Sequence, residues 1–536
     1  MNDLLVLSRA LLSSGKGAYL GEDSDGSLIY LPKEQTLAVL GAPRSGKSTR
    51  VFVQSITAFP GLAVCTSTRA PGQQQHPDII EVTESARQQL ADVSGGNVVH
   101  VALDPASPTH YKSWNFLKGC KDWKVAEERA RFFVSASLVG EHTVNNADFF
   151  RGAAIQALAP IMMACALNRK PASMFAELVR KMRLRSSESD TDVFDSMGTL
   201  KNAFKRKRGA THPASLALAN FLSKDKISDE TRQNVMSVIG NVILPSIERC
   251  CPAGREEFTL SELFDGDSTL YLQARSSDTQ VVAPFVAALV GSLVTRWRTT
   301  AAEERPTGCM LALDEVANIA PIHTLPELMS TAGGDGITVV LGVQDIERMN
   351  AIWPGQGYGI VEGGSQLLLG GYRDAAYLQR VSQLTPLVNR YHTNITVDHE
   401  ALKAIPHRGI TTTDLIESAA RRARSVERVD PRIRGLYDQH FLRMERTNML
   451  MKGQQIGEIG DSFEEWMQHY NSVVSVDHVG TLRHALEPHE LFELPDGEAL
   501  AISGTNMTML KLPGWWESPL WREVLGVSWR LPELSS

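Results

Sequence analysis

The chain has 536 residues, of which 43% are hydrophobic and 21% charged, a balance that excludes a mainly disordered, collagenous or coiled-coil protein. At roughly 150 residues per domain the length implies about three or four units. Its 54 basic and 61 acidic side chains leave a net charge of −7, so any nucleic-acid surface must be local rather than global.

In chain order, the first strong signal is TLAVL (36–40), an apolar run that reads as a buried strand. STRVFVQSITAF (48–59) has helical spacing and ends at the Pro60-Gly61 turn. LAVCT (62–66) predicts a second strand, residues 78–92 a helix, and NVVHVAL (97–103) a third strand that ends at Asp104. Short apolar strands separated by helices imply a parallel sheet covered on both faces.

That rhythm stops near residue 119. AEERARFFVSASL, DFFRGAAIQALAPIMMACAL, ASMFAELVRKMRLR, PASLALANFL and ETRQNVMSVIGNVI follow one another with helical spacing, and predict an all-helical insertion. Strands resume with STLYLQA (268–274), GCMLALD (308–314), GITVVLGV (336–343) and SQLLLGG (365–371). Residues 390–480 are polar, richer in Arg, and show helical patches; EALAIS and TMLKL then predict a closing strand pair near 498–512.

The charge-free stretches Gly152–Asn168 and Thr279–Thr295 are short for a membrane span and read as buried core helices. The N-terminus lacks the basic start and apolar run of a signal peptide. Six scattered Cys form no CxxC pair, which fits reduced thiols better than a disulfide scaffold or a zinc ribbon.

Gly41-Ala42-Pro43-Arg44-Ser45-Gly46-Lys47-Ser48 matches G-x-x-x-x-G-K-[ST] between a predicted strand and a predicted helix. The glycines let the loop bend until backbone N–H groups converge on phosphate, and the following helix adds its positive end. Lys47 is placed to reach the β- and γ-phosphates of ATP, Ser48 to bind Mg²⁺, and Thr49 to face the α-phosphate side. In GCMLALDEVANIAP an apolar strand runs into Asp314-Glu315. Acids at such a strand end are costly unless they meet a metal or water. Asp314 is placed to complete the Mg²⁺ shell and Glu315 to polarise the attacking water. Gln344, at the end of the next strand, is a candidate to sense the γ-phosphate or to orient water.

These residues carry a resemblance. GAPRSGKST, PGLAVCTSTR, the strand ending at Asp104-Pro105, SWNFLKGCKDW, LALDEVANIAPIHTLPELMSTAGGDGITVVLGVQD and LEPHELFELPDGEALAISG resemble type IV secretion coupling proteins. These are TraG/TraD-like conjugative DNA-transfer ATPases of the FtsK/HerA class of P-loop motors. The resemblance implies an α/β fold: a RecA-like P-loop NTPase core with a mostly parallel sheet, plus an inserted all-α domain. The resulting division is a lead-in at 1–35, the nucleotide-binding domain at 36–118 and 263–390, and the all-α insertion at 119–262. A polar Arg-rich arm or subdomain at 391–480 and a closing segment at 481–536 complete it.

The resemblance further implies ATP and Mg²⁺ as cofactors and a homohexamer that pumps DNA to a type IV secretion channel. Partners would be single- or double-stranded DNA bound without sequence preference, a relaxase or relaxosome or other secreted cargo, and channel components. Lys47 and Ser48 match the phosphate and Mg²⁺ residues, Asp314 and Glu315 the acidic pair, and Gln344 the sensor. Arg373, after SQLLLGG, is a candidate trans-acting arginine finger or else a surface ion-pairing residue. Two departures stand out. Phe116 follows Trp114-Asn115 where the family often has Pro. The family's N-terminal membrane anchor is not seen before Gly41, so a cytoplasmic place at the inner membrane face would need a missing anchor or a partner. Two other readings stay open: a related DNA motor in chromosome handling or defence, and a nucleotide-regulated platform that recruits cargo.

DNA phosphates require cations. Lys205, Arg206, Lys207 and Arg208, near Arg180, Lys181, Arg183 and Arg185, form one candidate cluster; Arg421, Arg422, Arg424 and Arg428 form another.

Overall fold

The computed structural model describes residues 3–68, 79–137, 147–185, 212–222, 225–398, 400–401, 412–427, 434–451 and 463–526. The chain divides into two compact units, Met1–Asp374 with Phe492–Ser536, and Ala375–Leu491.

Fifteen strands are described. They are β1 (Lys16–Glu22), β2 (Leu28–Pro32), β3 (Thr36–Leu40), β4 (Leu62–Ser67), β5 (Val98–Val101), β6 (Ser113–Trp114), β7 (Glu257–Phe258) and β8 (Thr269–Gln273). The rest are β9 (Cys309–Leu313), β10 (Ile337–Val343), β11 (Ser365–Leu369), β12 (Leu387–Val397), β13 (Val474–His484), β14 (Glu498–Ser503) and β15 (Asn506–Lys511).

The first unit holds an 11-stranded sheet in the order β2-β1-β15-β14-β11-β3-β10-β9-β4-β8-β5. The run from β11 to β5 is parallel throughout. Strands β14, β15, β1 and β2 extend it with antiparallel pairings. This is the mostly parallel α/β sheet expected from the short apolar runs. Every residue of β3, β4, β9, β10 and β11 is buried, as a strand covered on both faces requires. Leu37 and Val39, Ala63 and Cys65, and Met310 and Ala312 share one core with the helix Ile79–Ser94 and with Leu4, Leu11 and Trp521. Strand period two puts these alternate residues on one face.

The helix Thr279–Thr299 is mostly buried. It and Phe149–Leu167 are long and apolar enough by composition to cross a membrane, and most of each is buried within the chain. Gly291 has a packing reason: a Cβ there would lie 2.7 Å from the Phe132 ring, so the helix Trp123–Ser137 docks through a glycine gap. The helices Ala147–Leu167, Phe175–Arg185, Pro213–Leu222, Asp229–Val238 and Leu244–Cys250 follow it. The chain enters and leaves this helical stretch side by side, because β6 pairs in parallel with β7. All six cysteines are buried free thiols.

The second unit contains the antiparallel pair β12 and β13 with the helices Thr412–Glu427, Arg434–Met451 and Phe463–Val473. Arg421 of the helix Thr412–Glu427 donates to Glu445 at 3.1 and 2.9 Å, and Arg422 lies over the Tyr470 ring.

Candidate nucleotide site

Adjacent parallel strands bring their carboxyl ends together, and β3, β10, β9, β4 and β8 do so around one cavity of about 220 Å³. Its lining includes Pro43 to Thr49 from the loop after β3, Asp314 and Glu315 after β9, and Gln344 after β10. Ser67 and Thr68 at the end of β4 and Ser276 after β8 complete it.

The loop begins with Gly41, whose N–H donates to Val343 O at 3.3 Å. A Cβ at Gly41 would come within 2.4 Å of Ser45 Oγ, so a larger residue there would have to displace that side chain. Arg44 and Gly46 have φ of 66° and 89°, and this left-handed backbone turns peptide N–H groups inward as an anion nest does. Lys47 is buried and donates from Nζ to Gly41 O at 2.6 Å and Ala42 O at 2.9 Å. Burial lowers its ammonium pKa, a shift opposed by the carboxylates of Asp314 and Glu315.

The helix after Lys47 opens with a π-helical turn, Ser48–Phe52, before regular α geometry at Val53–Thr57. Arg50 of this turn donates to Leu512 O at 2.6 Å and to Glu517 at 2.7 Å, and reaches Asp496 at 3.3 Å. Gln54 donates to Pro513 O at 3.2 Å. The segment after β15 is thereby fastened to the loop's helix, an attachment that the sequence gives no spacing signal for.

Ser48 Oγ donates to Asp314 Oδ2 at 2.6 Å. Space for that carboxylate comes from Gly342 on β10, where a Cβ would lie 2.4 Å from Asp314 Oδ1. Thr66 Oγ1 donates to the Asp314 carbonyl at 3.0 Å. Glu315 takes a left-handed backbone, φ 52° and ψ 44°. Its carboxylate accepts from Gln344 Nε2 at 2.7 Å and from Asn318 Nδ2 at 3.1 Å. Asn318, Thr66, Ser67, Thr68 and Ser276 are site residues that the sequence reading passed over. Asn318 was accessible in principle, since i+3 spacing from Glu315 on a helical turn brings the two side chains together.

The donor set fits a nucleotide with Mg²⁺. Ser45 Oγ is buried with no hydrogen-bond partner among the described residues, the loop is a left-handed nest, and Ser48 with Asp314 offers two hard oxygen ligands side by side. Arg373 is not part of this lining: it is exposed, beyond the Gly370-Gly371 turn after β11.

Of the basic clusters, Lys205 to Arg208 and Arg428 lie outside the described residues. Arg180 pairs with Glu248, and Arg421 with Glu445.

A family model for type IV secretory system conjugative DNA transfer matches residues 6–360. No curated protein sequence matches the chain. The plasmid coupling protein TrwB in complex with ADP and Mg²⁺ is similar in structure, at 12% identity and a TM-score of 0.53, over 94% of this chain and 92% of that one. TrwB in complex with the non-hydrolysable GTP analogue GDPNP gives 13% identity and a TM-score of 0.51 over the same shares, 94% and 92%. At these identities the likeness is one of fold.

Proposed function

The chain belongs to the type IV secretory system conjugative DNA transfer family, and from that premise we propose that it is an ATP-hydrolysing coupling protein that moves DNA toward a secretion channel. The observation that carries the ATPase reading is the single cavity uniting the P-loop with Asp314, Glu315 and Gln344. The nucleotide complexes of TrwB support ATP and Mg²⁺ as its ligands.

In this reading the loop N–H groups and Lys47 hold the β- and γ-phosphates. Ser48 and Asp314 would hold Mg²⁺, which when bound neutralises charge on those phosphates. Glu315 accepts a proton from water as the water oxygen bonds to the γ-phosphorus. The bond to the β–γ bridging oxygen breaks with its electron pair on ADP, and the proton passes to solvent with release of phosphate. Gln344 and Asn318 fix the direction in which Glu315 presents its carboxylate.

Assembly and partners belong to the same proposal. A homohexameric ring would place the exposed Arg373 at a neighbour's nucleotide. The helical stretch from Trp123 to Cys250 would engage DNA or cargo such as a relaxase, on the cytoplasmic side of the channel. The test is ATPase rate with no DNA, single-stranded DNA and double-stranded DNA, alongside native mass measurement. Stimulation by DNA in a ring-sized species is expected. A DNA-independent rate in a monomer would leave a nucleotide-regulated platform instead.

A further inference from the structure

We infer that the side chain of Arg44 is a phosphate-binding cation of the nucleotide site, in addition to Lys47. The inference rests on the ATPase reading above and assigns a role that the loop motif does not, since G-x-x-x-x-G-K leaves this position open to any residue.

The first observation is backbone cost. Arg44 sits at φ 66°, in the left-handed region where a Cβ crowds the following carbonyl. The nest demands that conformation, and glycine would adopt it without strain. A residue that keeps a disfavoured conformation at a functional loop marks a side chain with work to do there.

The second observation is what surrounds the guanidinium. Arg44 lines the cavity and is exposed, with no ion pair among the described residues. The nearby Arg50 differs, being spent on Glu517, Asp496 and the Leu512 carbonyl. The other left-handed non-glycine residue of the cavity, Glu315, is explained by its bonds to Gln344 and Asn318. Among the described residues Arg44 has no such partner, and what enters the cavity can supply one.

The third observation is charge. The ionisable side chains of the lining are Arg44 and Lys47 against Asp314 and Glu315. Without Arg44 the side chains of the lining would carry one net negative charge before any Mg²⁺ binds. With it the acids are balanced, and five N–H donors stand at the mouth in a fork that matches phosphate oxygens.

Substitution separates this role from a structural one, because the two predict opposite signs. Arg44→Gly relieves the backbone, so the nucleotide-free protein should melt at or above the wild-type temperature. Its KM for ATP should rise, and its affinity for a non-hydrolysable ATP analogue should fall, by about tenfold or more, the scale of one charge-assisted hydrogen bond. Arg44→Lys should recover part of that loss. Wild-type affinity and turnover in Arg44→Gly would overturn the inference, and so would a lower melting temperature without nucleotide. If the wild-type protein itself gains no stability from the analogue, the ATPase reading fails and Arg44 with it. A responsive wild type beside an indifferent Arg44→Gly refutes this inference alone.

Discussion

Gln344 Nε2 donates to Glu315 Oε1 at 2.7 Å, a bond between the carboxyl ends of neighbouring parallel strands. In the proposed mechanism this bond tethers the residue that would take a proton from water to the one that would sense the γ-phosphate. Glu315→Gln keeps the shape of this contact and removes the charge. We expect nucleotide affinity near wild type and hydrolysis at least ~10²-fold slower, the range for loss of a general base. Filter binding of an ATP analogue beside a phosphate-release assay decides it. Loss of binding together with hydrolysis would mean that Glu315 shapes the cavity instead of acting on water.

The central sheet was legible because parallel strands buried on both faces must be short unbroken apolar runs. TLAVL, GITVVLGV and SQLLLGG have no other reading at their length, and they form β3, β10 and β11 nearly to the residue. Strand-end position then implied that Lys47, Ser48, Asp314, Glu315 and Gln344 meet, and they line one cavity. Elsewhere the pattern was weaker. Strand β1, KGAYLGE, is broken by glycines, and its pairing with β2 carries register shifts. The pair β12 and β13 reads LVNRYHTNITV and VSVDHVGTLRH, polar runs in a two-stranded ribbon that no long-range pattern announces. The Arg50 attachment joins residues some 460 positions apart in sequence, which periodicity cannot register.

Arg87 is the clearest stability determinant outside the cavity. It is fully buried, with no carboxylate paired to it among the described residues, and it donates to Phe59 O at 2.5 Å, Gly61 O at 2.8 Å, Ser268 O at 3.1 Å and Thr269 Oγ1 at 2.7 Å. It thereby joins the turn before β4 to the start of β8. Arg87→Met preserves much of the volume but strands buried carbonyls, each worth ~1–3 kcal/mol when left unpaired. The expected loss is about 3 kcal/mol or more in urea unfolding. A change below about 1 kcal/mol would show that water or a shifted backbone satisfies those carbonyls.

His323 should make stability pH-dependent. Burial, with the positive charges of Arg151 and Arg131, pushes its pKa down to about 4. An unfolded histidine titrates near 6.5. Between these values the unfolded chain binds the extra proton, so stability falls as pH drops from about 6.5 towards 4 and levels off below. His323→Gln removes the titrating group. The difference in melting temperature between wild type and variant should therefore shift in the variant's favour across that window. A difference independent of pH would show that His323 is not held neutral in the fold.

Arg373 tests whether hydrolysis requires a neighbour. It is exposed and outside the cavity lining of its own chain, as a residue serving another subunit's site would be. In a ring the contacts are head to tail, so each subunit gives one surface and receives another. ATPase activity per subunit should then rise with protein concentration in the presence of DNA. Arg373→Ala should flatten that rise and leave ATP affinity close to wild type, because the finger acts on charge developing in transfer and not on the bound ground state. Mixing sharpens the test. Lys47→Ala subunits cannot hold nucleotide productively but still present Arg373, while Arg373→Ala subunits have an intact cavity and lack a finger to offer. Combined, a Lys47→Ala subunit completes the site of an Arg373→Ala neighbour, and activity should exceed the sum of the two alone. If mixing restores nothing and activity per subunit is independent of concentration, each chain completes its own site, and the arginine it uses is not Arg373.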